Sequence, residues 1–152
     1  MKASEIIKQI QDSFANVSLK KTYGETTFFY NPDHRFANGS YFCTIKEADG
    51  PNDKASQLNR SDYYRLSFKP NPETFKKFFG DKPKRPSKGS HIITSFDLAK
   101  PNEWMPHAIY GWMGWTMILS PDASTMEKLW PYLHDAYLVA QQNYFFKLNK
   151  MR

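Results

Sequence analysis

His107 is the residue of this chain best suited to chemistry near neutral pH. It follows Pro106 and sits among Trp104, Tyr110, Trp112 and Trp115 in the stretch W-M-P-H-A-I-Y-G-W-M-G-W-T-M-I-L-S, residues 104–120. Aromatic neighbours can wall a pocket, and burial there shifts an imidazole toward a protonation range suited to a general acid or base, or fixes it as an orienting donor. The plainer alternative is a hydrogen bond to a backbone carbonyl at the entrance of a strand. A second group is Asp53, Ser56 and Arg60, at spacings of three and four, followed by Arg65. On one face of a helical turn these would leave Arg60 and Arg65 near an anion. Asp53 as an N-cap with Arg60 as its ion-pair partner explains the same residues.

Other signatures are missing. There is no G-x-S-x-G, no G-x-x-x-x-G-K-[ST], no G-x-G-x-x-G and no H-E-x-x-H, which removes the commonest hydrolase, nucleotide-binding and zincin motifs. The run D-G-P-N-D at 49–53 has the wrong acidic spacing for a calcium loop, and Arg60 stands where the bidentate glutamate belongs. His34 lies in turn chemistry, His91 near a strand start and His134 on a helix, and pairing His107 with His91 offers no metal-ligand spacing. No metal or cofactor is expected.

Composition narrows the class. A chain of 152 residues is most simply one domain, 1–152, large enough to bury a core without staples. The single cysteine, Cys43, excludes an internal disulfide and fits a reducing compartment, so a cytoplasmic protein is expected. No apolar run approaches the length a membrane span needs, so no membrane association is expected. The formal net charge of +6 admits anionic partners. The loop K-P-K-R-P-S-K-G at 82–89 concentrates four of the cations and is expected to be exposed and mobile. An aromatic share of 16% points to a sheet with a deep aromatic face.

The positioning elements follow from periodicity and punctuation. Ala3, Ile6, Ile7, Ile10 and Phe14 mark an N-terminal amphipathic helix with Ser4 available as its cap. Residues 17–21 and 26–30 read as a hairpin around a Tyr23-Gly24-Glu25 turn, and 40–46 as a third strand. Asp53 is expected to cap a helical turn holding Ala55, Ser56 and Leu58. In 63–69, Tyr64, Leu66 and Phe68 alternate with Tyr63, Arg65 and Ser67 on opposite faces of a strand. Asn71-Pro72-Glu73 and Gly80 bracket a short helix whose Phe75, Phe78 and Phe79 face the core. Residues 91–96 have strand composition, and 111–119, apolar on both faces, is the strongest central strand. Pro131 should kink or restart the C-terminal helix, which carries Leu133, Ala136, Tyr137, Ala140 and Tyr144. The fold class is α+β, a mostly antiparallel sheet packed by N- and C-terminal helices with a short helix inserted midway.

Several stretches in this order resemble one family: G-x-Y-F-C-T-I at 39–45, the segment 49–60 ending S-Q-L-N-R, Y-R-L at 64–66, F-F-G at 78–80, and M-P-H-A-I-Y-G-W-M-G-W followed by L-S-P. They look like domain-of-unknown-function family 6194, small bacterial proteins, over nearly the whole chain. The resemblance marks Asp53, Ser56, Arg60, Arg65, His107, Tyr110, Trp112 and Trp115 as motif residues and implies no reaction. Cys43, Asn59, Ser67 and Ala108 depart from the family pattern, the first of which argues against a shared role for the thiol. The helix–strands–helix order is also distantly similar to frataxin-like YjbR-type domains, an analogy of fold alone.

These readings converge on a protein that binds a small ligand or a protein partner in an aromatic cleft, with Arg60, Arg65, His107, Tyr110, Trp112 and Trp115 on its walls. Two alternatives come from other classes. One is an enzyme using His107 as general acid or base with Asp53 or Ser56. The other is a nucleic-acid-binding module using the 82–89 loop and the aromatic face.

Overall fold

The computed structural model describes residues 1–151. Helix α1 (Ala3–Ser13) buries Ile6 and Ile10 on one stripe, and Phe14 turns inward at its end. Its cap is Lys2 rather than Ser4: the Lys2 backbone N–H donates to Glu5 Oε1 at 3.0 Å. Strands β1 (Val17–Thr22) and β2 (Glu25–Tyr30) pair through a two-residue loop. Tyr23 and Gly24 both take positive φ there, 46° and 74°, the geometry whose twist matches that of the flanking strands.

Strand β3 (Ser40–Lys46) adds to β2, and β4 (Arg65–Phe68), β6 (Thr116–Leu119) and β5 (Met105–Pro106) complete a six-stranded sheet in the order β1-β2-β3-β4-β6-β5. All its strand pairings are antiparallel. Helix α2 (Pro72–Phe79) is inserted between β4 and β5, with Asn71 Oδ1 accepting the Thr74 N–H at 2.9 Å and Gly80 ending it. Helix α3 (Ala123–Lys150) closes the chain. The α+β class therefore stands, with helices at both ends and one midway.

Helices α1 and α3 share one core with the sheet. Ile6, Ile10 and Phe14 meet Leu133, Tyr137 and Tyr144 over Phe28, Phe42, Leu66 and Ile118. A bulge sets what the other face presents. Phe28 pairs with Cys43 and Phe29 with Tyr41, so Phe42 is the extra residue on β3. Phe42, Cys43 and Ile45 consequently reach the helix-side core, while Tyr41, Thr44 and Lys46 are free to line a cleft on the opposite face. The alternation in β4 does the same, with Leu66 and Phe68 in the core and Arg65 and Ser67 on the cleft. A smaller cluster of Leu98, Met105, Ala108 and Met117 holds the long 91–109 connection against this second face.

Trp104 belongs to the scaffold. Its ring stacks on Phe68 and Tyr132 and meets Phe78 and Phe79 edge-on or tilted, tying β4, α2 and α3 together. Of the three phenylalanines of α2 only Phe75 is fully buried, and Phe78 is 44% exposed.

Four local expectations are corrected. The strand expected over 111–119 begins only at Thr116, because Gly111–Met113 forms a 3₁₀ turn and Gly114 sits at φ 91°, a left-handed position open to glycine. Residues 91–96 form no strand despite their composition; one ladder-like bond, Ile92 N–H to Ala108 O at 2.8 Å, holds them. No helix follows Asp53, whose backbone pairs back onto Gly50 instead. Of the two expectations for Pro131, the fresh helix start is ruled out, because Pro131 lies inside the continuous α3.

Candidate ligand-binding cleft

The second face of the sheet opens into a cleft of about 910 Å³. Its floor is β3 and β4, through Thr44, Lys46, Arg65 and Ser67. One wall is the 50–53 turn, in which Gly50 and Asp53 exchange backbone hydrogen bonds at 3.0 and 3.2 Å. The other wall is made by residues 85–90 and by the segment from His107 to Trp115.

An ion-paired group holds the floor. Arg65 donates from Nη1 and Nη2 to the two carboxylate oxygens of Asp53, at 2.9 and 2.5 Å, and Lys46 Nζ reaches Asp53 Oδ2 at 3.1 Å. Burial alone would raise the Asp53 proton affinity. The Arg65 hydrogen bonds and charge, joined by Lys46, outweigh it and hold the carboxyl well below the usual carboxylate range. Arg65 is 3% exposed, yet its Nε has no hydrogen-bond partner, and neither has the Oγ of the equally buried Ser67. Buried polar atoms without partners are uncommon and costly; of the four among the described residues, these two lie on the cleft floor, and Thr26 Oγ1 and Trp104 Nε1 lie away from it.

His107 is also buried, and its backbone frames the segment it belongs to: its N–H donates to Trp115 O and its carbonyl accepts the Gly111 N–H, both at 2.9 Å. Nδ1 accepts two backbone N–H groups, from Ile109 and Tyr110, each at 3.1 Å. A nitrogen that accepts twice carries no proton, so the ring is neutral and Nε2 is its donor. Burial, then the Arg65 charge, lower its proton affinity well below the ordinary 6.5; Asp53 opposes this and Lys46 adds to it. The expected carbonyl contact is thus reversed, with the imidazole accepting from the backbone. No hydrogen bond joins His107 to Asp53 or Ser56 among the described residues.

The aromatic walls are ordered by stacking. Trp115 lies parallel to Tyr41, with centroids 5.7 Å apart and planes 9° apart. The guanidinium of Arg85 sits over the Trp112 ring, 4.8 Å from its centroid. Tyr110 is 48% exposed and its ring lies 5.2 Å from that of His107.

A family model described as a family of unknown function, DUF6194, matches residues 1–148. The chain belongs to this family. The DUF6194 match takes in every residue of the cleft. No curated protein and no solved structure matches the chain, so the likeness to frataxin-like YjbR-type domains gains no support there.

Of the motif residues marked in this DUF6194 chain, Asp53, Arg65, His107, Tyr110, Trp112 and Trp115 line one cleft, whereas Ser56 and Arg60 do not. Arg60 is a clamp between loops: Nε donates to Gln57 O at 2.8 Å, Nη2 to Ser56 O at 3.1 Å and Ala99 O at 2.7 Å, and its guanidinium covers the Tyr63 ring at 3.7 Å. Among the described residues it forms no ion pair with Asp53. Ser56 Oγ donates to Met117 Sδ at 3.7 Å and accepts from Arg65 Nη1 at 3.4 Å, behind the floor. Sequence reasoning missed Tyr41, Thr44, Lys46 and Ser67. Period-two spacing puts Ser67 on the face of Arg65 without marking it as a site residue, and the β3 bulge hides the face to which Tyr41 belongs. Among the described residues no three His, Cys, Asp or Glu side chains are grouped as metal ligands would be.

Proposed function

We propose that this chain is one cytoplasmic domain that binds a small ligand in the cleft by non-covalent contacts. The observation carrying this reading is the convergence of buried polar groups, Arg65, Ser67 and His107, with the rings of Tyr41, Tyr110, Trp112 and Trp115 on one concave surface. Two atoms of this surface, Arg65 Nε and Ser67 Oγ, are buried without partners, and orienting polar groups set in an aromatic wall are the usual make-up of a small-molecule site. The size agrees, since such sites run from roughly 300 to 1,000 Å³. Acid or base catalysis by His107 receives less support, because Nδ1 is occupied by two backbone donors and Nε2 already holds the proton.

A thermal-shift screen of soluble metabolites, with each stabilising compound mapped by ¹⁵N NMR on the four tryptophan indole signals, tests the reading. Stabilising compounds are expected to move the Trp112 and Trp115 signals and leave Trp130 in place. Stabilisation that moves neither Trp112 nor Trp115 puts the site elsewhere and overturns the proposal.

A further inference from the structure

The cations of the cleft are unevenly matched. Lys46, Arg65, Arg85 and Lys88 line it against only two carboxylates, Glu25 and Asp53. Both carboxylates serve the floor: Asp53 binds Arg65 and Lys46, and Glu25 lies 4.0 Å from Lys46. Among the described residues no carboxylate comes within ion-pair distance of Arg85 or Lys88. His107 adds no charge, since its geometry is that of a neutral ring. The excess positive charge of the site therefore sits on the 85–90 loop, the wall facing the 50–53 turn.

This loop touches both Trp112 and the 50–53 turn. Arg85 rests on Trp112, which restrains the guanidinium while leaving its N–H edge able to grip an anion with two parallel bonds. At Gly89 a side-chain carbon would stand 3.5 Å from Asn52 Oδ1 of the opposite wall, so the two walls meet there. A cleft closed at that end suits a compact ligand better than a threaded polymer. Next to the cations, Tyr41 is 55% exposed and stacked on Trp115, and Tyr110 is 48% exposed, so ring faces and edges are available to a flat apolar body.

We infer that the ligand is a small planar ring bearing a carboxylate or phosphate, its anionic group held by Arg85 and Lys88 and its ring placed against the Trp112, Trp115 and Tyr41 surfaces. The inference rests on the cleft being a ligand site and names the chemical class that site takes.

The test is an NMR titration of the full chain with indole-3-acetate, its neutral isostere indole-3-acetamide, phenyl phosphate and an eight-residue oligothymidylate, read on the Trp112 and Trp115 indole signals. Both aromatic anions are expected to shift these signals, and the acetamide to bind about tenfold more weakly, the scale of one lost charge-assisted contact. The relative affinity of acetate and phosphate decides which anion the site prefers. Arg85→Gln with Lys88→Gln, both exposed positions, should weaken the anions by about tenfold more than it weakens the acetamide. Acetamide binding as tightly as acetate overturns the anionic class while the cleft reading survives. Shifts confined to Trp104 or Trp130 overturn the cleft reading itself. If none of the probes moves any indole signal at millimolar concentration, the inference is wrong. Oligothymidylate binding more tightly than phenyl phosphate overturns it in favour of a nucleic-acid groove.

Discussion

Asp53 and Arg65 form a two-bond pair across the cleft floor, at 2.9 and 2.5 Å, with side-chain exposures of only 13% and 4%. Removing one member of such a pair strands the other charge away from water. Asp53→Ala should therefore cost about 3–5 kcal/mol of unfolding free energy. The double variant Asp53→Ala with Arg65→Met should recover part of that loss, because it removes both buried charges. Urea denaturation at pH 7 measures both. A loss below about 1 kcal/mol for Asp53→Ala would show that Arg65 does not depend on this carboxylate for its compensation.

Cys43 offers a probe of the same stability. It is fully buried on the helix-side core, and burial pushes its thiol well above the ordinary value, so the reactive thiolate is suppressed in the folded chain. Labelling by an aromatic disulfide reagent should then follow the open population only. Asp53→Ala should speed it about a hundredfold or more, since each 1.4 kcal/mol is a factor of ten. Rapid labelling of the unmutated protein would reveal a local opening of β3 instead.

How far the sequence could be read depended on whether local signals or tertiary partners decided each element. Asn71-Pro72 and Gly80 bracket α2 where expected, and Tyr23-Gly24 makes the hairpin turn, because caps and turns are settled within a few residues. Residues 91–96 and 111–115 look like strand by composition, but a strand needs a neighbouring ladder, and neither segment finds one. The site divides in the same way. His107 and the tryptophans were visible as a dense local cluster. The pairing of Asp53 with Arg65 and Lys46 was not, because the helical spacing of Asp53, Ser56 and Arg60 pointed to a turn that the chain replaces with the Gly50–Asp53 bridge.

Pro131 lies within α3 and is exposed, with no N–H to donate to the carbonyl one turn earlier. A proline in a helix interior is unfavourable by about 3 kcal/mol relative to alanine, and an exposed one gives up little packing when replaced. Pro131→Ala should raise stability by about 1–3 kcal/mol, read as a higher thermal midpoint by circular dichroism. A lower midpoint would mean that α3 needs a bend at this point to follow the twisted sheet, which would outweigh the restored hydrogen bond.

The neutral state of His107 makes a prediction about pH. Its folded proton affinity is lowered, first by burial and then by the Arg65 charge, from an ordinary value of 6.5. Above that value the ring is neutral in both the folded and unfolded chains, and no pH dependence follows from it. Below it the unfolded chain takes up a proton that the folded chain refuses, so stability falls as pH drops toward the lowered folded value, by at most about 1.4 kcal/mol per pH unit. Urea denaturation at pH 7, 6 and 5 should show this loss in the unmutated protein. His107→Gln should flatten it, because the Gln carbonyl can still accept from Ile109 and Tyr110 without titrating. Equal pH dependence in the two proteins would mean that the folded imidazole protonates normally. Nδ1 could not then accept both backbone donors, and the assignment of Nε2 as a fixed donor in the cleft would fall with it.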